Sequence, residues 1–334
     1  AMAIPSHWTV RRLAGALGAE IIGPDLRNTT AADIAALREL LLEHLVIFLP
    51  DQAPSPEEHV AFARHFGRLQ GHPNLGGSEG LPPEIFQLKA SEGGIADEWH
   101  TDITFEASPP LMSVLHLVKC PEYGGDTMWS SLYAAYEALS DPMKELCEGL
   151  TALHDAQPHN RTDKMAIHPV VRVHPETGRR ALYVNGYFTR RIVELSAEES
   201  ELLLGYLSRW ISREQFTVRY RWRPGSIGIW DNRCTAHYVL NDFVGERIIQ
   251  RATVMADRVQ GAAAPRWQPA VGDHRLSAID RHDQQLFEYL RAQGRIGADV
   301  RGYGDLVPGE AQDLKTTQTL PDRPYDVQAQ HPCQ

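Results

Sequence analysis

The chain has 334 residues, 43% of them hydrophobic, which is enough for a folded protein with a substantial core, built as one large domain or two ordinary ones. Its 33 basic and 43 acidic residues give a formal net charge of −10, and the arginines are interspersed with acids, so no electrostatic footprint for nucleic acid is present. No apolar run approaches the roughly 20 residues needed to span a bilayer, which argues against a membrane-spanning helix.

The start, Ala1 before Met2, reads as a cloning remnant and carries no basic, apolar and small-residue leader pattern. Cys120, Cys147, Cys234 and Cys333 are far apart and form no CxxC pair, which fits a reducing cytoplasm.

In chain order, Thr30 to His44 places Ile34, Leu37, Leu40 and Leu41 on one face behind a threonine cap, and the stripe continues to Leu45. Ser55 to Phe66 opens with Ser-Pro-Glu-Glu, a cap, a first-turn proline and an acidic first turn. Both predict helices packed outside a sheet. Strands are expected at Leu45 to Leu49, Ile85 to Lys89, Leu111 to Val118, Thr127 to Ser130, Val170 to His174, Ala181 to Val184, Phe216 to Trp222, Ser226 to Trp230 and Arg251 to Met255. His174 to Arg179 and Arg223 to Ser226 read as turns. Many short strands with turn punctuation suggest a mostly β sandwich or jelly roll flanked by helices.

The composition changes near residue 258. Arg258 to Gln334 is read as a C-terminal extension with a helix over Arg275 to Gln293, ended by Gly294, and irregular elsewhere. It is expected to fasten to the surface or to another subunit, and a homo-oligomer is expected.

Trp99-His100-Thr101-Asp102 offers two ligands on alternate residues, which share one side of an extended segment. A second imidazole from a distant strand completes two His and one carboxylate around a metal with open positions, the pattern of non-haem Fe(II) oxygenases. Among 15 histidines, His237 has the right context, after the apolar strand Ser226 to Trp230 and the polar turn Asp231-Asn232-Arg233. Those turn residues are expected to orient His237, Trp99, Trp129 and Trp230 to pack, and Cys234 to be buried without a ligand role. Arg247, ten residues on, suits the distal carboxylate of 2-oxoglutarate, which needs a fixed planar cation; Thr127 is the best hydroxyl to share that duty. The competing readings are an ion pair of Arg247 with Asp242 or Glu246, and Thr127 as an ordinary strand residue.

Trp99-His-Thr-Asp102-Ile-Thr-Phe, Tyr123-Gly-Gly-Asp-Thr127-Met-Trp, Ala135-Tyr-Glu-Ala-Leu-Ser140, His168-Pro-Val-Val-Arg-Val-His-Pro175, Arg191-Ile-Val-Glu-Leu-Ser196, Trp230-Asp-Asn-Arg233 and Arg247-Ile-Ile-Gln-Arg251-Ala-Thr together resemble, in order, the taurine dioxygenase (TauD/TfdA) family of 2-oxoglutarate-dependent oxygenases. The resemblance covers roughly residues 8 to 257. It implies a dioxygenase domain with a cupin-like double-stranded β-helix, Fe(II) on His100, Asp102 and His237, and 2-oxoglutarate at Thr127 and Arg247. It further implies that the keto acid chelates iron, that O2 converts it to succinate and CO2, and that a substrate carbon is hydroxylated. Related halogenases lack the carboxylate, so Asp102 argues against halogenation.

The positions matching His72 and Arg251 bind the sulfonate in taurine-oxidising relatives, and Phe188 matches a pocket aromatic. The places that would meet taurine's amino group match Leu75 and Ala96, which cannot accept its hydrogen bonds, so the expected substrate is a more apolar anion such as an alkyl sulfate or sulfonate, with a carboxylate or natural-product intermediate as the alternative. Within this resemblance His154 to His168 is short for a segment that covers the active site, implying an open entrance or a lid supplied by the C-terminal extension. From other classes, a zinc hydrolase or a non-catalytic cupin-like binder could use the same three ligands, but neither explains Thr127 and Arg247.

Overall fold

In the computed structural model, residues 4–74, 77–255, 258–270 and 281–297 are described. The chain forms β1 (Thr9–Arg12), β2 (Ala19–Ile22), α1 (Ala31–His44), β3 (Val46–Leu49), α2 (Pro56–Arg64), β4 (Leu69–Gln70), β5 (Ile85–Lys89), β6 (Met112–Lys119) and β7 (Thr127–Ser131). It continues through α3 (Leu132–Glu137), α4 (Asp141–Glu148), β8 (Thr151–Ala156), β9 (Arg161–Pro169), β10 (Val171–Val173), β11 (Arg180–Leu182), β12 (Thr189–Ile192) and α5 (Ala197–Ile211). The last elements are β13 (Thr217–Tyr220), β14 (Ile227–Asp231), β15 (Thr235–Val239), β16 (Ile248–Val254) and α6 (Arg281–Ala292).

Eight strands make the main sheet, in the order β1-β2-β3-β14-β6-β16-β4, with β5 and β4 sharing the edge of β16 opposite β6; β13-β7-β15 and β12-β8-β9 are separate three-stranded sheets. Trp129 of β7 packs 5.8 Å from Trp230 of β14 and 5.2 Å from Phe48 of β3, ring centroid to centroid, so the β13-β7-β15 sheet lies face to face with the main one. This is the expected jelly-roll architecture. On the outer face of the main sheet, α1 and α2 bury Leu37, Leu40, Val60 and Phe62 against Ile47, Ile229 and Val254. Both helices start in capping boxes, Thr30 with Asp33 and Ser55 with Glu58, as their sequences require.

The chain divides into two compact units, Ala1–Glu194 with Glu199–Gln268, and Leu195–Glu198 with Pro269–Gln334. In the first unit, Gln260 O accepts from Val173 N at 2.9 Å and Ala262 N donates to Val171 O at 3.1 Å, tying the chain after β16 to β10. In the second unit, α6 buries Leu286, Phe287 and Leu290, and Gly294 takes the left-handed φ of 68° just past its end. The expected helix began at Arg275, and residues 275–280 lie outside the described part.

Other expectations shift in instructive ways. Leu45, expected to open a strand, has φ 65° and terminates α1 instead. Residues 154–168 form most of a β8–β9 hairpin, with His154 and His168 buried and the tip residues Asn160 and Arg161 exposed. Among the described residues no helix is long and apolar enough to cross a membrane.

Candidate metal centre and active site

His237 sits in the middle of β15, paired through β7 to the minor sheet. His100 is joined to it by an isolated bridge, with His100 N donating to His237 O at 3.0 Å and His237 N to His100 O at 2.8 Å. The extended segment ends there: a turn follows, with Ile103 at φ 57°, so Asp102 is aimed by a turn rather than by strand alternation as expected. Asn232 fixes that turn. Its Oδ1 accepts from Asp102 N at 2.9 Å, while its Nδ2 donates to Asp102 O at 3.0 Å and Pro110 O at 3.2 Å. One buried amide thereby clips the segment carrying His100 and Asp102 to the β14–β15 turn that leads into His237.

The ligand atoms of His100, Asp102 and His237 all lie within 4.8 Å of one another, and all three residues are buried. His100 Nε2 is 3.7 Å and His237 Nε2 3.9 Å from Asp102 Oδ1, too far for hydrogen bonds. His100 Nδ1 donates to Glu98 O at 2.7 Å, which turns the Nε2 lone pair inward. Burial lowers the pKa of both imidazoles, His237 well below the ordinary value, so both are neutral. Burial works to raise the Asp102 carboxyl, but the positive charge of Arg251, which also hydrogen-bonds to it, outweighs burial and holds it well below the usual carboxylate range. Two neutral imidazoles and an ionised carboxylate, converging with no proton between them, form a donor set that fits a divalent cation such as Fe(II).

Arg251, on β16, donates from Nη1 to Asp102 Oδ1 at 2.7 Å; its Nε is buried without a partner among the described residues. A cavity of about 230 Å³ adjoins this pair, lined by His72, Phe86, Ile103, His159, Tyr187 and Phe188 among others. His72 stacks on Phe86 at 4.8 Å and its Nδ1 accepts from Asn74 N at 3.1 Å, leaving the proton on Nε2. Burial and the charge of Arg251 bring its pKa down to about 3, so it is a neutral donor. Phe188 packs against Phe105 at 5.2 Å and forms part of the apolar wall. Ala96 lines the cavity as well, whereas Leu75 lies outside the described residues.

A second, smaller cavity lies on the other side of His100 and Arg251 and reaches Thr127, His237 and Arg247. Arg247 donates from Nε to Gly125 O at 3.2 Å and from Nη2 to Thr127 Oγ1 at 3.3 Å. Neither expected acid takes the guanidinium: Asp242 Oδ1 accepts from Gly125 N, and Glu246 Oε1 accepts from the backbone N–H of Arg247. Burial pulls the Arg247 pKa down to about 10, still charged at neutral pH. Thr127 Oγ1 also accepts from Trp222 Nε1 at 2.8 Å.

The structure thus gathers all eight residues singled out in the sequence around two adjoining cavities. It adds His159, Tyr187 and Phe86 to the wall and Trp222 to the Thr127 hydroxyl. His159 stood in the segment His154 to His168, which the family resemblance marks as short; Trp222 and Phe86 had no local signal.

Residues 9–253 match the family described as taurine catabolism dioxygenase TauD, TfdA family. The chain belongs to this family. Over 276 residues it is 36% identical to an alkylsulfatase of Acinetobacter baylyi, covering 76% of this chain and 86% of the relative. It is also 36% identical over 271 residues to an alpha-ketoglutarate-dependent sulfate ester dioxygenase of Pseudomonas putida, covering 74% and 89%. The crystal structure of a taurine dioxygenase from Burkholderia xenovorans superposes with a TM-score of 0.71 at 39% identity, covering 77% of this chain and 92% of that one. As a TauD/TfdA protein the chain is a 2-oxoglutarate-dependent non-haem iron dioxygenase that uses Fe(II), 2-oxoglutarate and O2. That membership decides against the zinc hydrolase and the non-catalytic binder.

Proposed function

We infer that residues 8–257 form a dioxygenase domain that hydroxylates an alkyl sulfate or alkyl sulfonate at the carbon beside the anionic head, with residues 258–334 as a C-terminal extension. One observation carries the substrate class: Arg251 is buried beside an apolar cavity with an unspent Nε donor, next to the metal-type donor set. A buried guanidinium with a spare donor favours an anion over a neutral ligand of the same shape. The sulfate ester and alkylsulfatase chemistry named for two relatives at 36% identity supports the same class.

His100 Nε2, Asp102 Oδ1 and His237 Nε2 would hold Fe(II), which when bound supplies O2 activation at its open face. Thr127 and Arg247 would hold the distal carboxylate of 2-oxoglutarate. Because Thr127 Oγ1 already accepts from Trp222 and Arg247, its own proton is left to point at that carboxylate. Arg251 and the Nε2–H of His72 would grip the head group, and Phe86, Ile103 and Phe188 would dry the adjoining chain. Hydroxylation of the carbon bearing a sulfate ester gives a hemiacetal that collapses to aldehyde and inorganic sulfate, and a sulfonate gives aldehyde and sulfite. The test is product-forming turnover on alkyl sulfates, alkyl sulfonates, aryloxy acids, taurine and matched neutral alcohols. Release of sulfate or sulfite with succinate, lost in Arg251→Ala, is expected; preference for a neutral alcohol overturns the reading.

A further inference from the structure

We propose that the aromatic residues behind His237 are an electron-transfer route that drains oxidising equivalents to Tyr220 when a turnover aborts, an inference that rests on the metal site assigned above. The His237 ring lies 4.9 Å from Trp230 and 6.3 Å from Trp129, on the face away from His72 and Phe188. Trp230 is 5.8 Å from Trp129, Trp129 is 6.0 Å from Trp222, and Trp222 is 5.2 Å from Tyr220. The series ends at a base: Tyr220 donates its hydroxyl to Glu20 Oε2 at 3.2 Å. Tyr220 and Trp222 are themselves buried, but they form part of the lining of a surface groove with Arg11, Cys120 and Arg223, so the series ends at the edge of space open to small solutes.

The kinds of rings matter. The substrate side of the metal site is walled by Phe86, Phe188 and Tyr187, with Phe105 packed behind Phe188, whereas the opposite side carries three indoles and a phenol. Phenylalanine does not yield an electron readily; tryptophan and tyrosine do. Packing alone would be served at position 220 by phenylalanine, as in Phe48 stacked against it at 3.7 Å. The hydroxyl is present and meets a buried carboxylate. Tyr136 makes a similar bond to Glu148, but on α3, outside this ring series.

The electron balance closes. Conversion of 2-oxoglutarate and O2 to succinate and CO2 leaves one oxygen atom at the metal site that needs two electrons and two protons to become water. When no substrate C–H bond supplies them, an indole beside His237 gives one electron, and the hole moves outward to Tyr220. Loss of the phenolic proton to Glu20 makes the phenol the easier group to oxidise, which sets the direction. A small thiol in solution then returns a hydrogen atom to the phenoxyl radical. Two passes oxidise two thiols to a disulfide and reduce the oxygen atom to water.

The experiment gives Fe(II)-loaded enzyme 2-oxoglutarate and O2 without prime substrate. Frozen samples are read by electron paramagnetic resonance, and oxidised side chains are mapped by peptide mass spectrometry. Wild type should show a phenoxyl signal that Tyr220→Phe removes and Glu20→Gln weakens. In Tyr220→Phe, oxidation of Phe188, Tyr187, Trp129 and Trp230 per succinate should rise several-fold, with coupled turnover of hexyl sulfate unchanged. A second arm needs no metal: azide radicals generated by pulse radiolysis oxidise tryptophans of the metal-free protein, and indolyl absorption should decay into phenoxyl absorption with a yield lowered in Tyr220→Phe. Equal phenoxyl yield in the two proteins, or equal damage per succinate, overturns the route. Absence of succinate from the loaded enzyme with and without hexyl sulfate overturns the site assignment instead, while the radiolysis arm still decides the route.

Discussion

Two His and Asp clusters of this protein look alike on paper and behave as opposites. His174, Asp231 and Cys234 bring ligand-type atoms as close together as His100, Asp102 and His237 do. In the first, His174 Nε2 donates to Asp231 Oδ2 at 2.9 Å, its Nδ1 accepts from the backbone of Glu176 and Thr177, and Arg233 grips both carboxylate oxygens. Burial and the negative charge of Asp231 push the Cys234 thiol well above its ordinary pKa, so it is no thiolate ligand. Every strong valence there is spent inside the protein. In the second cluster the imidazoles approach the carboxylate without bonding it, and His237 Nδ1 and Arg251 Nε have no partner among the described residues. Residue type and spacing thus mark both; unspent lone pairs and donors separate a candidate reaction centre from a girder.

The contrast is broken most forcefully by swapping equivalent substitutions. Asp102→Asn is expected to abolish succinate formation, a loss of at least about 10³-fold, while the protein stays folded by circular dichroism. Near-normal turnover in that variant would end the metal assignment. Asp231→Asn should do the reverse: the folded fraction keeps its specific turnover, but denaturant unfolding shows a loss of about 3–5 kcal/mol from the broken buried pair.

Acid sharpens the same distinction between spent and unspent groups. His59, bonded at Nε2 to Val114 O, and His168, bonded to Thr104 O, are both pulled down by burial to about 4. Because the folded pKa lies below the unfolded one, their stabilisation is complete above about pH 6.5 and fades as pH falls toward 4, by roughly 3 kcal/mol for each. Denaturant midpoints measured across that window should decline, and His59→Gln should flatten part of the decline. A midpoint independent of pH there would contradict the buried neutral state.

Smaller effects test the second cavity. Arg247→Ala removes a charge-assisted clamp of about 1.5–3 kcal/mol, so the KM for 2-oxoglutarate should rise on the order of 10–100-fold with a lesser change in kcat. Unaltered keto-acid dependence in folded protein would make Arg247 a structural residue. Thr127→Val should move KM the same way by less, since only one neutral hydroxyl is lost.

What the sequence disclosed follows from what local chemistry can encode. The strand over Ile85 to Lys89 and the caps at Thr30 and Ser55 are local patterns, and the structure repeats them residue for residue. The β8–β9 hairpin was missed because buried His154, Asp155 and His168 occupy inward positions that an alternation test expects to be apolar. Strand β15 was missed because Thr-Ala-His-Tyr-Val is short and partly polar, and β1 and β2 because Arg11 and Glu20 interrupt them. The site residues were legible through ordered motifs. Their pairings were not: Arg251 and Asp102 are separated by 149 positions, Trp222 and Thr127 by 95, and only the folded sheets bring them together.

The clip made by Asn232 bears on how the protein lives with its metal. With two buried hydrogen bonds to Asp102, 130 positions away, and a third to Pro110, 122 away, it closes a long loop in the site without calling on a ligand atom of the metal-type cluster. The ordering of the ligands is therefore supplied by folding, unlike in small zinc domains that collapse when stripped. The site is expected to treat iron as a replaceable part: chelation should leave the far-ultraviolet circular dichroism unchanged, and added Fe(II) should restore turnover in the same polypeptide.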